Sequence, residues 1–130
     1  QFYLYISVLA WYNKSMAFPG SYNIDYYKGD TYEFRIYPKN SDNSVFSLVS
    51  YGAIFTIATS RGANPTFAVA GTATIVGNQY IVCTIAPTVG RTLTAGTSYV
   101  YDVQISSANG SVIYTLLTGN LSVTDDVTGI

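Results

Sequence analysis

The stretch that most constrains the fold runs over residues 93–127. Its first half alternates two sets of side chains, Tyr99, Tyr101, Val103 and Ile105 in one set and Val100, Asp102 and Gln104 in the other. Because successive strand side chains point to opposite faces, this alternation predicts a strand with one buried face. Asn109-Gly110 then predicts a tight primed hairpin turn, since both residues tolerate positive φ. Residues 111–117 return along the first strand, and we expect a third short strand after them.

A second feature of this stretch is the run Leu93-Thr94-Ala95-Gly96-Thr97-Ser98-Tyr99. It fits a tyrosine corner, in which a Tyr that opens a strand hydrogen-bonds through its hydroxyl to backbone just upstream. Leu93, Gly96 and Tyr99 are therefore predicted to be structural residues. The pattern resembles the E–F corner of immunoglobulin-like and fibronectin-type sandwiches.

The remainder of the chain repeats short strand patterns with turn signals between them, and no window sustains a helical period. This is typical of an all-β sandwich or barrel. We predict an immunoglobulin-like β-sandwich of two antiparallel sheets with about seven to nine strands. Residues 66–75 are expected to form one small-residue strand, and residues 86–92 a crossover with one helical turn.

Residues 1–15 form an apolar N-terminal strand or extension before a sandwich domain over residues 16–130. They are either sequence upstream of a natural start at Met16 or a genuine strand covered on both faces. A two-sided apolar strand needs a partner on each face, so we expect it to pack against another copy or add to a sheet edge. The candidate interface residues are Phe2, Leu4, Ile6, Trp11, Tyr26 and Tyr27.

Composition excludes several functions. Charged residues make up 10% of the chain and the net charge is −1, too sparse for a nucleic-acid partner, which needs clustered Lys and Arg. The chain has no histidine, which removes Ser-His and Cys-His pairs and most zinc sites. The apolar start is too short to span a membrane, which takes about 20 residues. The single cysteine, Cys83, lies in a strand pattern and is predicted to be a small buried hydrophobe.

The acidic residues do not show the spacing of a metal or catalytic site. Asp25, Asp30 and Glu33 lie near one turn and Asp125-Asp126 near another, and we interpret them as solvated turn acids rather than calcium ligands or a glycosidase pair. No cofactor or metal is therefore predicted. Asp102 lies mid-strand, where Asp is depleted. We expect it to face solvent or to pair with an arginine, the candidates being Arg35, Arg61 and Arg91.

Thirteen tyrosines are an excess for 130 residues. Tyrosine combines an apolar face with a polar tip, which suits both protein interfaces and stacking on sugars, and strands favour aromatics in any case. Low charge and the apolar N-terminus favour interface burial over glycan binding. A glycan partner would need a coplanar row of exposed aromatic rings.

A wider resemblance covers residues 21–128. Its motifs, in order, are GDTYEF (29–34), FSLVSY (46–51), LTAGTSYVYDVQI (93–105), VIYTLLTGNLSV (112–123) and DVT (126–128). This order resembles small immunoglobulin-like proteins of bacteriophage structural modules, including the N-terminal domain of baseplate upper proteins. The positions that match are Tyr99, Tyr101, Asp102, Leu116, Leu117 and Gly119.

The resemblance implies a virion or tail-associated structural role and no catalytic residues. We therefore expect a non-catalytic structural or interaction protein located in a virion. Its partners would be further copies of itself or other virion proteins, met through edge pairing and tyrosine-rich surfaces. The alternative is a carbohydrate-binding module or adhesion domain.

Overall fold

The computed structural model describes residues 3–10, 20–40 and 42–125, with backbone alone for residues 3–10. These residues form two β-sheets and one short helix. In chain order the elements are β1 (Tyr3–Ala10), β2 (Gly20–Ser21), β3 (Ile24–Tyr27), β4 (Tyr32–Asn40), β5 (Tyr51–Ala58), β6 (Ala68–Ala70), β7 (Thr72–Val76), β8 (Tyr80–Ile85), α1 (Pro87–Gly90), β9 (Ser98–Ser107) and β10 (Ile113–Thr124).

The smaller sheet has four strands in the order β1-β4-β8-β7. Strands β4, β8 and β7 pair antiparallel, and β1 adds to the free edge of β4 in parallel, from Tyr3 opposite Glu33 to Ala10 opposite Asn40. The prediction that the N-terminal strand adds to a sheet edge is thus confirmed. Its parallel direction is possible because β1 is not joined to β4 by a hairpin.

The larger sheet has the order β2-β10-β9-β5-β6, and β3 also pairs with β10. Strands β5, β9 and β10 are antiparallel, whereas β2 and β3 run parallel to β10. Since β2 and β3 are two pieces of one interrupted edge strand, the two sheets contain nine strands when these are counted together. The fold is the predicted all-β sandwich, and parallel pairs occur at its edges.

The core lies between the sheets and is built from alternating side chains. Phe34 of β4 meets Phe55 of β5 edge to face with ring centres 5.4 Å apart, and Tyr101 of β9 lies 6.3 Å from Phe34 and 5.8 Å from Phe55. All three rings are buried. Cys83 is also fully buried, as predicted, and burial raises the pKa of its thiol.

The segment expected to be one strand over residues 66–75 is instead divided at Gly71. Strand β6 belongs to the larger sheet and β7 to the smaller one, so the chain crosses between sheets at this glycine. A Cβ at Gly71 would lie 2.5 Å from Cδ2 of Phe55 and 3.0 Å from the carbonyl oxygen of Thr84. Only glycine therefore lets the crossing lie this close to the core.

The β9–β10 hairpin confirms the predicted faces and corrects the predicted turn. Gly110 has a positive φ of 72°, but Asn109 does not share it. The side-chain oxygen of Asn109 instead accepts hydrogen bonds from the Ser111 N–H and hydroxyl, so the loop is longer than a two-residue primed turn. The expected third short strand is the continuation of β10. A register shift between Thr115 and Leu117 lets both Leu116 and Leu117 be buried.

Candidate functional site

The tyrosine corner lies where α1 leads into β9. The backbone N–H of Thr94 donates to the hydroxyl of Tyr99 at 2.8 Å, which is the hydrogen bond that the sequence predicted. Leu93 is buried beneath the corner, and Gly96 has a φ of 81° while its N–H donates to the carbonyl of Val123 at 2.8 Å. The contacts of Leu93, Gly96 and Tyr99 are therefore contacts that stabilise the fold.

A second tyrosine contact joins the larger sheet to its edge strand. The hydroxyl of Tyr101 donates to the carbonyl of Tyr22 at 2.6 Å. A Cβ at Gly119 would overlap the same Tyr22 carbonyl, so glycine is required where the edge strand crosses β10. The close approach of the Tyr22 carbonyl thus explains why position 119, one of the positions that match the resemblance, is a glycine.

Asp102 lies on the outer face of the larger sheet, between Thr56 of β5 and Thr118 of β10. It lines a shallow recess of about 250 Å³ with apolar walls that include Val100 and Pro65. Burial raises the pKa of the Asp102 carboxyl, and the nearby positive charge of Arg61 partly offsets this.

Of the three arginines predicted as partners of Asp102, Arg61 is the one that lines the recess. Its Nη2 donates to the carbonyl of Gly119 at 3.2 Å. Arg35 lies on the other sheet, with its Nε 3.9 Å from Glu33 Oε2. The recess therefore combines one half-buried carboxylate with one exposed guanidinium, an arrangement suited to a structural charge pair.

The other acidic residues stay apart from this recess. Asp25 is exposed on β3, Asp30 lies in the turn after it, and Glu33 is on the outer face of β4. Within the described ranges no three His, Cys, Asp or Glu side chains come together in a way that could hold a metal ion. Asp126 lies outside the described residues.

The most distinctive surface is an apolar end of the sandwich, where β5 and β10 begin. Among the described residues, seven large apolar side chains are exposed, and six of them lie here with exposed fractions of 37–58%: Val45, Val49, Ile54, Val112, Ile113 and Tyr114. Strand register brings the beginnings of β5 and β10 together, since Gly52 and Ile113 both pair with Ser106 of β9, and Val45 lies opposite Lys39 at the end of β4. Residues 43–60 and 103–124 contain no charged side chain. We call these six residues the apolar end.

An aromatic cluster supports the apolar end from beneath. The ring centres of Phe46, Tyr51 and Tyr114 lie 6.2–6.4 Å from one another. Phe46 and Tyr51 also pack against the core. The rings therefore tie the exposed residues to a rigid base.

The predicted interface residues lie in β3, in β1 and outside the described residues. Tyr27 is 54% exposed, but Tyr26 is 1% exposed, and its assignment to an interface was wrong. In adjacent strand positions only one of the two tyrosines can face outward, and Tyr26 turns inward to donate its hydroxyl to the Asp30 carbonyl at 2.6 Å. Leu4 and Ile6 lie in β1 opposite Phe34 and Ile36. Phe2 and Trp11 lie outside the described residues.

Sequence reasoning missed most of the apolar end. It did not single out Ile54, Ile113 or Tyr114. Absence of charge alone does not mark this surface, because residues 62–90 also contain no charged side chain and most of them lie elsewhere in the fold.

Several tyrosines whose side chains the structure describes contact other aromatic rings, either stacked or at a steep angle. Tyr37 and Tyr80 stack on each other with ring centres 5.0 Å apart and planes 23° apart. The planes of Phe46 and Tyr114 are 86° apart. These rings contact each other rather than presenting one flat platform to solvent.

Comparison with family models finds no match to this chain, and comparison with curated proteins finds none either. In the part of the chain that the structure describes, no helix is long and apolar enough to cross a membrane.

Proposed function

We propose that this chain is a non-catalytic structural and interaction protein that assembles through protein–protein contacts, as a component of a phage-like virion or tail. The apolar end is the single observation that carries the interaction part of the proposal. Contiguous exposed apolar surface of this kind marks interaction sites in soluble domains.

The strength of such a contact can be bounded. Fully burying a Val or Ile side chain contributes about 1.5–3 kcal/mol, and these residues are already about half buried. Six such side chains contribute several kcal/mol, while association costs about 4–15 kcal/mol. The apolar end therefore supports an interface that needs further contacts, and association is best sought at micromolar concentrations.

Charge distribution favours a partner that is itself weakly charged. The two segments that form the apolar end contain no charged residue, and Lys39 lies opposite Val45 beside them, so little like-charge repulsion opposes contact with a second copy. A net charge of −1 also gives little general repulsion between copies.

Sedimentation velocity over the micromolar range tests this proposal with two matched variants. Ile113→Lys places a charge in the apolar end, and Ser122→Lys places one at an exposed position near the other end of the same strand. We expect the wild-type chain and Ser122→Lys to self-associate and Ile113→Lys to stay monomeric. A wild-type monomer over the whole range, or equal behaviour of the two variants, would contradict assembly through the apolar end.

The virion assignment comes from the sequence resemblance, and a separate observation tests it. If the chain is a virion protein, its gene should lie among genes for capsid, portal or tail proteins. A neighbourhood of metabolic or secretion genes would remove the virion assignment and leave the interaction proposal standing.

A further inference from the structure

Strand β7 (Thr72–Val76) lies at the edge of the four-stranded sheet. Within the described part of the chain, β8 pairs with one side of β7 and no strand pairs with the other. A strand in this position presents a row of backbone N–H and C=O groups to any extended partner.

Most sheet edges are protected against such pairing, and β7 is not. Charged side chains, prolines, bulges and very short strands are the usual protections. Edge strand β3 carries Asp25 and edge strand β6 has three residues, whereas β1, at the other edge of the smaller sheet, likewise contains no charge and no proline. The β7 sequence, TATIV, contains no charge and no proline, and its register with β8 is regular throughout.

We propose that β7 pairs antiparallel with β7 of a second copy about a twofold axis, which joins the two smaller sheets into one continuous sheet. The register that pairs all five residues places Thr74 opposite itself, Ala73 opposite Ile75 and Thr72 opposite Val76. The inference deepens the proposed function, on which it rests, by naming a second contact and its partner.

The side chains of β7 fit this self-pairing on both faces. On the core side, Ala73 and Ile75 pack against the core but are only half buried. Across the twofold axis, Ala73 of one copy would meet Ile75 of the other, and both side chains would lose solvent exposure. On the outer side, Thr74 would meet Thr74 and Thr72 would meet Val76, which are favourable β-branched pairs.

The expected contact is weak when it acts alone. A pair of five-residue strands buries less surface than the roughly 1,200–2,000 Å² of a standard interface. We therefore choose a covalent trap rather than an affinity measurement as the test.

The trap is Thr74→Cys in the full chain, treated with mild oxidant and examined on a non-reducing gel. Residues directly opposite in an antiparallel pair have Cα atoms about 4.5–5.5 Å apart, within the reach of a disulfide. The matched control is Thr72→Cys, which is on the same strand and face. In the proposed register its two copies lie four residues apart along the strand, about 13 Å, beyond that reach. The native thiol of Cys83 is fully buried and does not compete.

We expect Thr74→Cys to form disulfide dimers at least tenfold faster than Thr72→Cys. Equal rates, or no dimer from either variant, would overturn the inference. Adding Ile113→Lys to Thr74→Cys separates the two proposals. If the double variant still forms the disulfide dimer while sedimentation shows Ile113→Lys to be monomeric, the β7 contact is supported separately from the apolar end. If Thr74→Cys forms no disulfide dimer while Ile113→Lys alone still self-associates, the β7 contact is overturned. That result would also count against the apolar end.

Discussion

The two ends of the sandwich use tyrosine in different ways. At the end that holds the tyrosine corner, Tyr26, Tyr99 and Tyr101 are buried, and each hydroxyl has a backbone partner. At the apolar end, Tyr51 is half exposed and Tyr114 is 39% exposed, and their rings contact other aromatic rings. The same residue type thus stabilises the fold at one end and forms surface at the other.

Glycine explains much of this difference. At the corner end, Gly90 lies against the hydroxyl of Tyr26, and Gly119 lies against the Tyr22 carbonyl that Tyr101 binds. Such close approach brings backbone groups within reach of a buried hydroxyl. At the apolar end, a Cβ at Gly52 would meet nothing within 4 Å. The exposed backbone at Gly52 therefore makes no such close approach.

The largest effect should come from removing one ring at each end. Tyr101→Ala deletes a ring that contacts Phe34 and Phe55, so it should lower the free energy of unfolding by about 3–5 kcal/mol. Tyr114→Ala should lower it by about 1 kcal/mol or less, because that side chain is already partly exposed. Urea unfolding of both variants measures the difference. Similar losses would mean that the two ends do not differ in the way we describe.

A glycine pair tests the backbone spacing directly. Gly119→Ala forces the edge strand away from β10 and should cost about 1–3 kcal/mol, as overpacking does. Gly52→Ala meets open space and has no positive φ, so it should change stability by less than about 1 kcal/mol and can increase it. Thermal unfolding followed by circular dichroism distinguishes them. A neutral Gly119→Ala would show that the edge strand can move freely from Tyr22 onward.

A smaller effect is expected from removing hydroxyls alone. Tyr99→Phe leaves the Thr94 N–H without its acceptor and should cost about 1–2 kcal/mol. Tyr51→Phe is the control, since its hydroxyl makes no hydrogen bond to any described residue, and it should be close to neutral. Chemical denaturation measures both, and amide exchange at Thr94 should rise in Tyr99→Phe. An unchanged exchange rate there would argue against the tyrosine corner as a stabilising contact.

Most features that depend on neighbouring residues in the sequence were predicted well, and the turn type at Asn109-Gly110 is the exception. The alternation around Tyr101 gave the correct buried face, and the spacing from Leu93 to Tyr99 gave the correct corner. Features that depend on contacts between distant strands were not. The crossing at Gly71 depends on the closeness of Phe55 and Thr84, which no local pattern records.

The candidate site shows the same division. Asp102 could be singled out because a charge in the middle of a strand is unusual, and it does lie in a recess of the larger sheet. Which arginine lies near it could not be predicted, because Arg61 reaches it only through the packing of the loop after β5. The exposure of Ile113 likewise depends on which surfaces remain uncovered after folding.

The smallest effect concerns Asp102, which lies between the two ends on the outer face of the larger sheet. Burial raises the pKa of its carboxyl above the ordinary value, so the folded chain holds this proton more tightly than the unfolded chain. Stability from this group is fully present below the ordinary carboxyl pKa and is lost as pH rises through the folded value. Asp102→Asn should therefore raise the melting temperature slightly at neutral pH.

We expect that gain to correspond to less than about 1 kcal/mol, because the group is partly exposed and screened. The gain should shrink as the pH is lowered below the ordinary carboxyl pKa, where Asp102 is protonated in both states. Asp25→Asn, at an exposed position on β3, also removes one negative charge and is the control for the change in net charge. A lower melting temperature for Asp102→Asn at neutral pH would instead mean that electrostatic attraction to Arg61 outweighs the cost of burying the Asp102 carboxylate. In that case the middle of β9 would resemble the corner end, where the hydroxyls of Tyr26, Tyr99 and Tyr101 each have a backbone partner.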